Sequence, residues 1–250
     1  MNTNNPYITA IEHYLGRTGH TQIAPRAALI DMDGTLYDSM GHHTLAWQRM
    51  MHEIGVDVPR DEFYLYEGMT GAATITHLFD RELHRTPTAD EISELYHRKT
   101  ELFSEQPAVG PMPGAHQALD FLVSQGIRCV LVTGSGQSSL IGRLEADYPH
   151  IFAPGDYITS RDVTKGKPHP EPYLKGMALA EIEPWQGIVL ENAPLGIKAG
   201  ADAGAFTIGV TTGPIPIEKM TEAGADIVFD SMQQCADALP QLFQQFNSIL

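Results

Sequence analysis

Residues 27–39 read Ala27-Ala28-Leu29-Ile30-Asp31-Met32-Asp33-Gly34-Thr35-Leu36-Tyr37-Asp38-Ser39. An apolar, strand-like stretch ends in two aspartates one residue apart, followed by a glycine at which the chain has to turn. Because strand side chains alternate, Asp31 and Asp33 point the same way while the strand lasts. Both carboxylates then lie at the carboxyl end of a strand, where open α/β sheets bind ligands. Two neighbouring carboxylates repel each other unless a cation or a proton lies between them. The run therefore predicts a divalent metal and acid/base or nucleophilic chemistry.

The composition is typical of a folded, acidic protein. The chain has 250 residues, 42% of them hydrophobic, and a net charge of −15. This negative charge argues against nucleic acid or an anionic membrane as a partner. For the same reason, an anionic substrate would need cations at its binding site. The two cysteines are far apart and suggest neither a disulfide framework nor a zinc site. Because the sequence shows no long apolar run and no signal-peptide pattern, we expect a cytoplasmic protein. We also expect it to be a monomer or a weak homo-oligomer.

The chain divides into three predicted parts. Residues 1–25 form an N-terminal extension, a flexible or docking appendage without a catalytic role, in which Ile8, Ile11 and Leu15 could form one helix face. Residues 26–39 and 106–250 form an α/β core, and residues 40–105 form an inserted α-helical cap. We refer to the last part as the cap segment.

Alternating helices and strands predict the core. The first strand is predicted at residues 26–32, and later strands at 127–132, 157–159, 187–190, 205–210 and 226–229. Helices are predicted between them at 115–125, 138–147, 171–180 and 195–203, with another at the C-terminus. Short connections between alternating elements imply a doubly wound parallel sheet. In the cap segment, helical spacing predicts helices at 44–53, 70–83 and 88–103, the last with a capping box.

Four loops carry the residue types of a phosphoryl-transfer site. They are Asp31-Met32-Asp33-Gly34-Thr35, Thr133-Gly134-Ser135-Gly136-Gln137, Lys165-Gly166-Lys167-Pro168-His169-Pro170-Glu171-Pro172 and Glu191-Asn192-Ala193-Pro194-Leu195-Gly196. Three of them follow apolar strands, so a parallel sheet gathers them at one edge. Thr133 and backbone amides would hold a phosphoryl oxygen, Lys167 would neutralise charge, and Glu191 with Asn192 offers oxygen ligands for Mg²⁺. Each loop alone is an ordinary turn or helix cap, whereas all four in this order are rare by chance.

The four motifs in this order resemble the haloacid dehalogenase-like superfamily, from about Arg26 onward. The inserted cap and the run from Glu191 to Gly200 resemble its β-phosphoglucomutase-like branch. The resemblance implies that Asp31 is the nucleophile that forms an aspartyl-phosphate, and that Asp33 is the general acid and base. It implies Mg²⁺ held by Asp31, the Asp33 backbone carbonyl, Glu191 and Asn192. Gly34, Thr133, Gly134, Ser135 and Lys167 are then expected around the phosphoryl group.

The cap segment is expected to choose the substrate. Mutases of this branch carry a lysine beside a glycine in a cap loop and an arginine a few residues later, where this chain has Glu67 and Gly71. His43 and Lys99 do match positions that assist catalysis and phosphate binding in the mutases. Glu67 could supply a further metal ligand when the cap closes, or it could be a solvated acid near a helix start. The motifs of this chain resemble most those members that hydrolyse inorganic pyrophosphate.

Several functions are therefore weighed. The leading hypothesis is a Mg²⁺-dependent phosphohydrolase, with pyrophosphate or another small phosphate ester as substrate. The alternative is β-phosphoglucomutase or another hexose-phosphate mutase. A non-catalytic phosphate-sensing module is disfavoured because nucleophile, acid/base, lysine and metal ligands are all present. A dehalogenase is disfavoured because it has no evident use for Asp33 or for a metal cluster.

Overall fold

A six-stranded, fully parallel sheet lies at the centre of the fold, as the alternating pattern predicts. The structure is a computed structural model that describes residues 5–135 and 141–249. The strand order is β3-β2-β1-β4-β5-β6. Their bounds are β1 Ala27–Ile30, β2 Arg128–Val132, β3 Tyr157–Ile158, β4 Gly187–Glu191, β5 Phe206–Val210 and β6 Ile227–Phe229. The predicted doubly wound α/β class is confirmed.

Helices cover the sheet and fill the cap segment. In the described residues of the core and the N-terminal part, α-helices span Pro6–Thr18, Ala115–Ser124, Leu144–Asp147, Glu171–Ala180, Pro194–Asp202, Ile217–Glu222 and Met232–Ile249. In the cap segment they span Met40–Glu53, Gly71–Leu78 and Ala89–Ser104, with a 3₁₀ helix at Arg60–Tyr66 and a π-helical turn at Phe79–Leu83. The described part of the cap segment contains no strand.

Strand β1 shows why the sheet is buried on both faces. Its four residues are fully buried, and alternate side chains enter two different apolar clusters. Leu29 pairs in register with Val130 of β2 and Val189 of β4, and all three pack into the same cluster. Continuous apolar strands of this kind are typical of a parallel sheet with helices on each side.

The elements differ from the predicted ones mainly at their ends. β1 is shorter than predicted because the chain turns, and the Gly34 amide donates to the Tyr37 carbonyl. The helix predicted at 70–83 ends at Leu78 and continues as the π-helical turn. The 3₁₀ helix Arg60–Tyr66 and the helix Ile217–Glu222 were not predicted. The capping box of Thr88 with Glu91 is present. The predicted helix start at residue 138 lies outside the described residues.

The N-terminal helix packs against the core, so the docking alternative is the one that fits the described residues 5–25. Ile11 and Tyr14 are fully buried and belong to the main apolar cluster of the core. The Tyr14 hydroxyl donates to the Gly204 carbonyl over 3.1 Å. The buried face centres on these two residues, whereas Leu15 and Ile8 of the predicted face are half-buried.

Arg17 fixes this helix to the carboxylate of Asp226. Its guanidinium donates to both Asp226 oxygens, over 3.1 and 2.6 Å, and to the carbonyls of Ala201 and Ala205, over 2.8 Å each. The Asp226 side chain has no solvent exposure. Such bidentate pairs combine charge with fixed geometry.

We expect Arg17→Met to lower the free energy of unfolding by about 3 kcal/mol, because the variant leaves a buried carboxylate without its main cation. Urea unfolding measures this change. Arg49→Met is the matched control, since the Arg49–Glu105 pair is about half exposed and should contribute less than about 1 kcal/mol. Equal losses in the two variants would contradict an anchoring role for Arg17.

No helix in the described part of the chain combines the length and the apolar character needed to cross a membrane.

Candidate active site

The sheet brings the four predicted loops to its carboxyl edge. Asp31 and Asp33 follow β1, Thr133 follows β2, and Asn192 follows Glu191, the last residue of β4. Lys167 lies on the connection between β3 and β4. All six side chains are buried. The Asp31 amide donates to the Leu190 carbonyl over 3.0 Å, which holds the end of β1 beside β4.

Lys167 joins Asp31 to Glu191. Its Nζ lies 2.5 Å from Asp31 Oδ1, 2.6 Å from Glu191 Oε1 and 3.0 Å from the Val132 carbonyl oxygen. Burial opposes the charge on the lysine, but the two carboxylates raise its pKa above the ordinary value. Burial and the nearby Glu191 raise the pKa of Asp31, and Lys167 opposes this rise. The site therefore contains a buried ammonium between two carboxylates.

Every oxygen of Glu191 already accepts hydrogen bonds within the chain. Oε1 accepts from Lys167 and, over 2.8 Å, from the Tyr173 hydroxyl. Oε2 accepts from the backbone amides of Asn192 and Ala193, over 3.0 and 3.2 Å. Glu191 thus orients Lys167 and the turn that leads into the helix Pro194–Asp202.

A chain of hydrogen bonds runs from Asp33 into the cap segment. Asp33 Oδ1 accepts from Ser39 Oγ over 2.7 Å and lies 2.9 Å from His43 Nε2. His43 Nδ1 lies 2.6 Å from Lys99 Nζ, and the imidazole stacks on Phe103 with ring centroids 4.4 Å apart. Because an ammonium can only donate, Lys99 donates to Nδ1 and a neutral His43 carries its proton on Nε2. His43 therefore donates to Asp33.

The pKa values in this chain are shifted by burial and by mutual charge. Burial lowers the pKa of Lys99 to about 7, although Asp33 acts in the opposite direction. Burial and Lys99 lower the pKa of His43 below its ordinary value. Burial would raise the pKa of Asp33, but the contacts with His43 and Ser39 and the charge of Lys99 hold it low. These contacts favour the ionised form of Asp33 while no substrate is bound.

The glycines of the site permit close approach between segments. Gly34 has φ +80°, and a Cβ there would lie 1.9 Å from Asn192 Nδ2. A Cβ on Gly134 would lie 2.5 Å from the carbonyl oxygen of Gly68, so the cap segment touches the loop after β2. In that loop the Ser135 amide donates to Thr133 Oγ1 over 3.0 Å. Gly136 and Gln137, predicted for the same loop, lie outside the described residues.

Glu67 reaches the site from the cap segment. Its Oε1 accepts from Asn192 Nδ2 over 2.8 Å. Its Oε2 is buried and has no hydrogen-bond partner in the described residues. Burial and the charge of Asp31 raise the pKa of Glu67 well above its ordinary value, with a smaller opposing effect from Asn192. Glu67 is therefore an incompletely satisfied buried acid, and the interpretation as a solvated surface acid does not fit this position.

The donor set fits Mg²⁺. A hard cation prefers carboxylate, amide and carbonyl oxygens, which Asp31, Glu67, Asn192 and the Asp33 backbone carbonyl provide. The unpartnered Oε2 of Glu67 is the observation that most favours a cation here. In the described ranges there is no cluster of three or more His, Cys, Asp or Glu side chains placed to hold a metal. Two of the expected donors, the Asn192 amide oxygen and the Asp33 backbone carbonyl, do not belong to these four side-chain types.

A cavity lies between the core and the cap segment above the aspartates. The core contributes Asp31, Asp33 and the residues 133–135. The cap segment contributes four aromatic side chains, Trp47, Phe63, Tyr66 and Tyr96, among others that include His43, Glu67 and Lys99. No arginine lines the described part of the cavity.

Comparison with known proteins decides the family. The sequence profile of the haloacid dehalogenase-like hydrolase family matches residues 28–210. The chain belongs to this family. The match runs from β1 to the end of β5 and includes all four site loops and the cap segment.

Relatives within the haloacid dehalogenase-like family include enzymes with different activities. The chain is 29% identical to hexitol phosphatase A of Escherichia coli, over 82% of this chain and 91% of the relative. It is 28% identical to β-phosphoglucomutase of Bacillus subtilis, over 88% and 94% of the two chains. A solved structure from Bacteroides vulgatus, provisionally assigned as a β-phosphoglucomutase, superposes with a TM-score of 0.93 at 39% identity, covering 98% of this chain and 99% of that one.

Sequence reasoning missed two residues of this haloacid dehalogenase-like site. Ser39 was not among the predicted site residues, yet its hydroxyl donates to Asp33. Tyr173 was not considered, yet it is fully buried and donates to Glu191. The position of Tyr173 three residues after Pro170, on the helix that follows the Lys167 loop, was a signal that could have indicated it.

Proposed function

We propose that this chain is a Mg²⁺-dependent phosphohydrolase that acts on small phosphate esters through an aspartyl-phosphate on Asp31. The observation that carries the proposal is the pairing of Asp31 Oδ1 with Lys167 Nζ, 2.5 Å apart, beside the cavity that Asp31 and Asp33 line. A nucleophile (Asp31), a cation (Lys167) and a proton carrier (Asp33) thereby lie close together, and all three side chains are buried. Positioning and charge stabilisation of this kind account for most of the catalysis of phosphoryl transfer.

In the first step a carboxylate oxygen of Asp31 attacks phosphorus and the bond from phosphorus to the leaving oxygen breaks. Asp33 enters this step in its protonated form and supplies that proton to the leaving oxygen, so a neutral alcohol departs. Both hydrogen bonds to Asp33 engage Oδ1, which leaves Oδ2 for proton transfer. Lys167 and the Thr133 hydroxyl stabilise the negative charge of the phosphoryl oxygens.

In the second step water hydrolyses the aspartyl-phosphate. Asp33, now ionised, takes a proton from the water as it attacks phosphorus, and the bond from phosphorus to the Asp31 oxygen breaks. The low pKa of Asp33 in its contact with His43 and Ser39 favours this ionised state. Inorganic phosphate leaves, and both aspartates return to their starting states.

Asp31, the Asp33 carbonyl, Asn192 and Glu67 would hold Mg²⁺, which neutralises charge on the phosphoryl group and on the crowded carboxylates. Glu191, a predicted ligand, would support the site through Lys167, since its oxygens already accept four hydrogen bonds.

The substrate is proposed to be a phosphate ester with one phosphate. The named relatives include a hexitol phosphatase and a β-phosphoglucomutase, enzymes of phosphate esters. The aromatic walls of the cavity suit a carbon-containing leaving group. Pyrophosphate stays a prediction from Glu67 and its loop, and neither relative is a pyrophosphatase.

A hexose-phosphate mutase is the second candidate, favoured by the His43–Lys99 pair beside Asp33 and by the relatives described as β-phosphoglucomutases. A mutase must bind a bisphosphate in two orientations and so needs a cation for the remote phosphate. Lys99 is the only lysine or arginine of the cap segment among the described cavity residues, and burial lowers its pKa to about 7. Hydrolysis is therefore the better match.

A parallel turnover assay tests the proposed function. The panel contains glycerol phosphate, glucose 6-phosphate, β-glucose 1-phosphate and pyrophosphate, each with Mg²⁺ and with excess chelator. We expect Mg²⁺-dependent phosphate release that is fastest with an ester. Conversion of β-glucose 1-phosphate to the 6-phosphate faster than any phosphate release would establish the mutase instead. Preference for pyrophosphate would restore the first substrate prediction.

We expect Glu67→Gln to weaken divalent metal binding by about tenfold or more, because it removes a charged oxygen donor from the site. Mn²⁺ binding followed by electron paramagnetic resonance measures this without turnover. Glu94→Gln is the matched control, an exposed acid of the same cap segment. Equal affinity in the two variants would remove Glu67 from the ligand set.

A further inference from the structure

Gly71 and Tyr96 meet on the cap side of the cavity. Gly71 begins the helix Gly71–Leu78, and Tyr96 lies on the helix Ala89–Ser104. A Cβ on Gly71 would lie 2.1 Å from Tyr96 Cδ2 and 2.2 Å from Cε2. The tyrosine ring therefore occupies the space that a side chain at position 71 would fill, and glycine at this position admits it.

Neighbouring contacts hold the ring in place. The Trp47 ring lies 6.3 Å from the Tyr96 ring, between centroids, and also stacks nearly parallel on Phe63. The helix that carries Tyr96 begins with the capping box of Thr88 and Glu91. The half-buried ring of Tyr96 is therefore packed into the cavity wall.

The cap side of the cavity offers few side chains that could bind a second phosphate group. Of the described cavity residues in the cap segment, Gly71, Thr74 and the aromatic residues carry no charge, and Glu67 is an acid. Lys99 is engaged with His43. A second phosphate on the leaving group would thus meet a tyrosine ring and an acid.

We propose that Tyr96, admitted by Gly71, sets the length of the leaving group and restricts the enzyme to short esters with one phosphate. The inference rests on the proposed phosphohydrolase function and specifies its substrate class. Asp31, Asp33 and Tyr96 line the same cavity. We expect this cavity to accommodate a leaving group of about glycerol size, and we expect a hexose to require displacement of the ring. Tyr96 is a specificity-determining residue in this scheme.

The test compares Tyr96→Ala with Tyr96→Phe, using glycerol phosphate and glucose 6-phosphate as probes. We expect Tyr96→Ala to raise the ratio of kcat/KM for glucose 6-phosphate over glycerol phosphate by about tenfold or more, because a pocket discriminates leaving groups by fit. Tyr96→Phe keeps the ring and should leave the ratio unchanged. Loss of stability alone would lower both values of kcat/KM together and would not move their ratio.

Tyr96→Leu covers the case in which the alanine variant does not fold, since leucine keeps part of the apolar volume while removing the ring. An unchanged ratio in a variant that still hydrolyses glycerol phosphate would overturn the inference and leave the proposed function standing. Absence of hydrolysis of both esters by the unsubstituted protein would overturn the proposed function, and the inference with it.

Discussion

Asp31→Asn is expected to reduce turnover by about 10⁴-fold or more, the scale of loss when a covalent nucleophile is removed. An amide oxygen does not attack phosphorus at a useful rate, so no phosphoryl-enzyme forms. Asparagine has nearly the same shape, and the backbone bond from residue 31 to the Leu190 carbonyl is unaffected. Lys167 keeps Glu191 as a partner, 2.6 Å away. The fold should therefore persist while turnover is lost.

Steady-state phosphate release and mass spectrometry of acid-quenched protein check this expectation. The unsubstituted protein should carry one phosphoryl group on the peptide that contains Asp31, and the variant should carry none. Asp38→Asn is the matched control, because it makes the same change at an exposed position seven residues later. Undiminished phosphate release by Asp31→Asn would exclude the covalent mechanism.

Lys167→Met is expected to lose both activity and stability. The substitution leaves Asp31 and Glu191 buried and close together without the ammonium that lies between them. Removal of one partner from a buried ion pair costs about 3–5 kcal/mol, because the remaining charge is uncompensated. Loss of a cation aimed at the phosphoryl oxygens should lower kcat by about 10²–10³-fold.

Urea unfolding in the presence of chelator and kcat at saturating Mg²⁺ measure the two effects of the Lys167 variant. Lys165→Met is the matched control, since Lys165 lies exposed on the same loop. It should change neither quantity appreciably. Wild-type stability of Lys167→Met would show that the two carboxylates do not depend on this lysine.

Much of the fold could be predicted because its signals are local. The apolar stretch before Asp31 and the alternating helices and strands predicted the parallel sheet. Element ends were less certain, since hydrogen bonds between distant segments decide them. The 3₁₀ helix Arg60–Tyr66 lacks a clear periodic pattern, and the docking of the N-terminal helix depends on Arg17 reaching Asp226, more than 200 residues away in sequence.

For the site, the residue types at strand ends could be predicted, but their partners could not. Sequence order predicted that Asp31, Thr133 and Glu191 meet at one edge. It did not predict that Ser39 would hydrogen-bond to Asp33 or that Tyr173 would hydrogen-bond to Glu191, because neither residue belongs to a motif. The partners of Glu191 could not be predicted for the same reason, as its four hydrogen-bond donors come from three separate parts of the chain.

The sequence by itself determined the family, the sheet and the candidate reaction, because the chemistry depends on residue types at the ends of consecutive strands. The tertiary structure decided how those residues are paired and what the cap segment adds. In the sequence alone, nothing beside Glu67 or Gly71 indicates which residues they contact. Folding places Glu67 against Asn192 with an unpartnered oxygen and fills the space over Gly71 with Tyr96. Contacts between segments distant in sequence produce both results, and no local pattern specifies them.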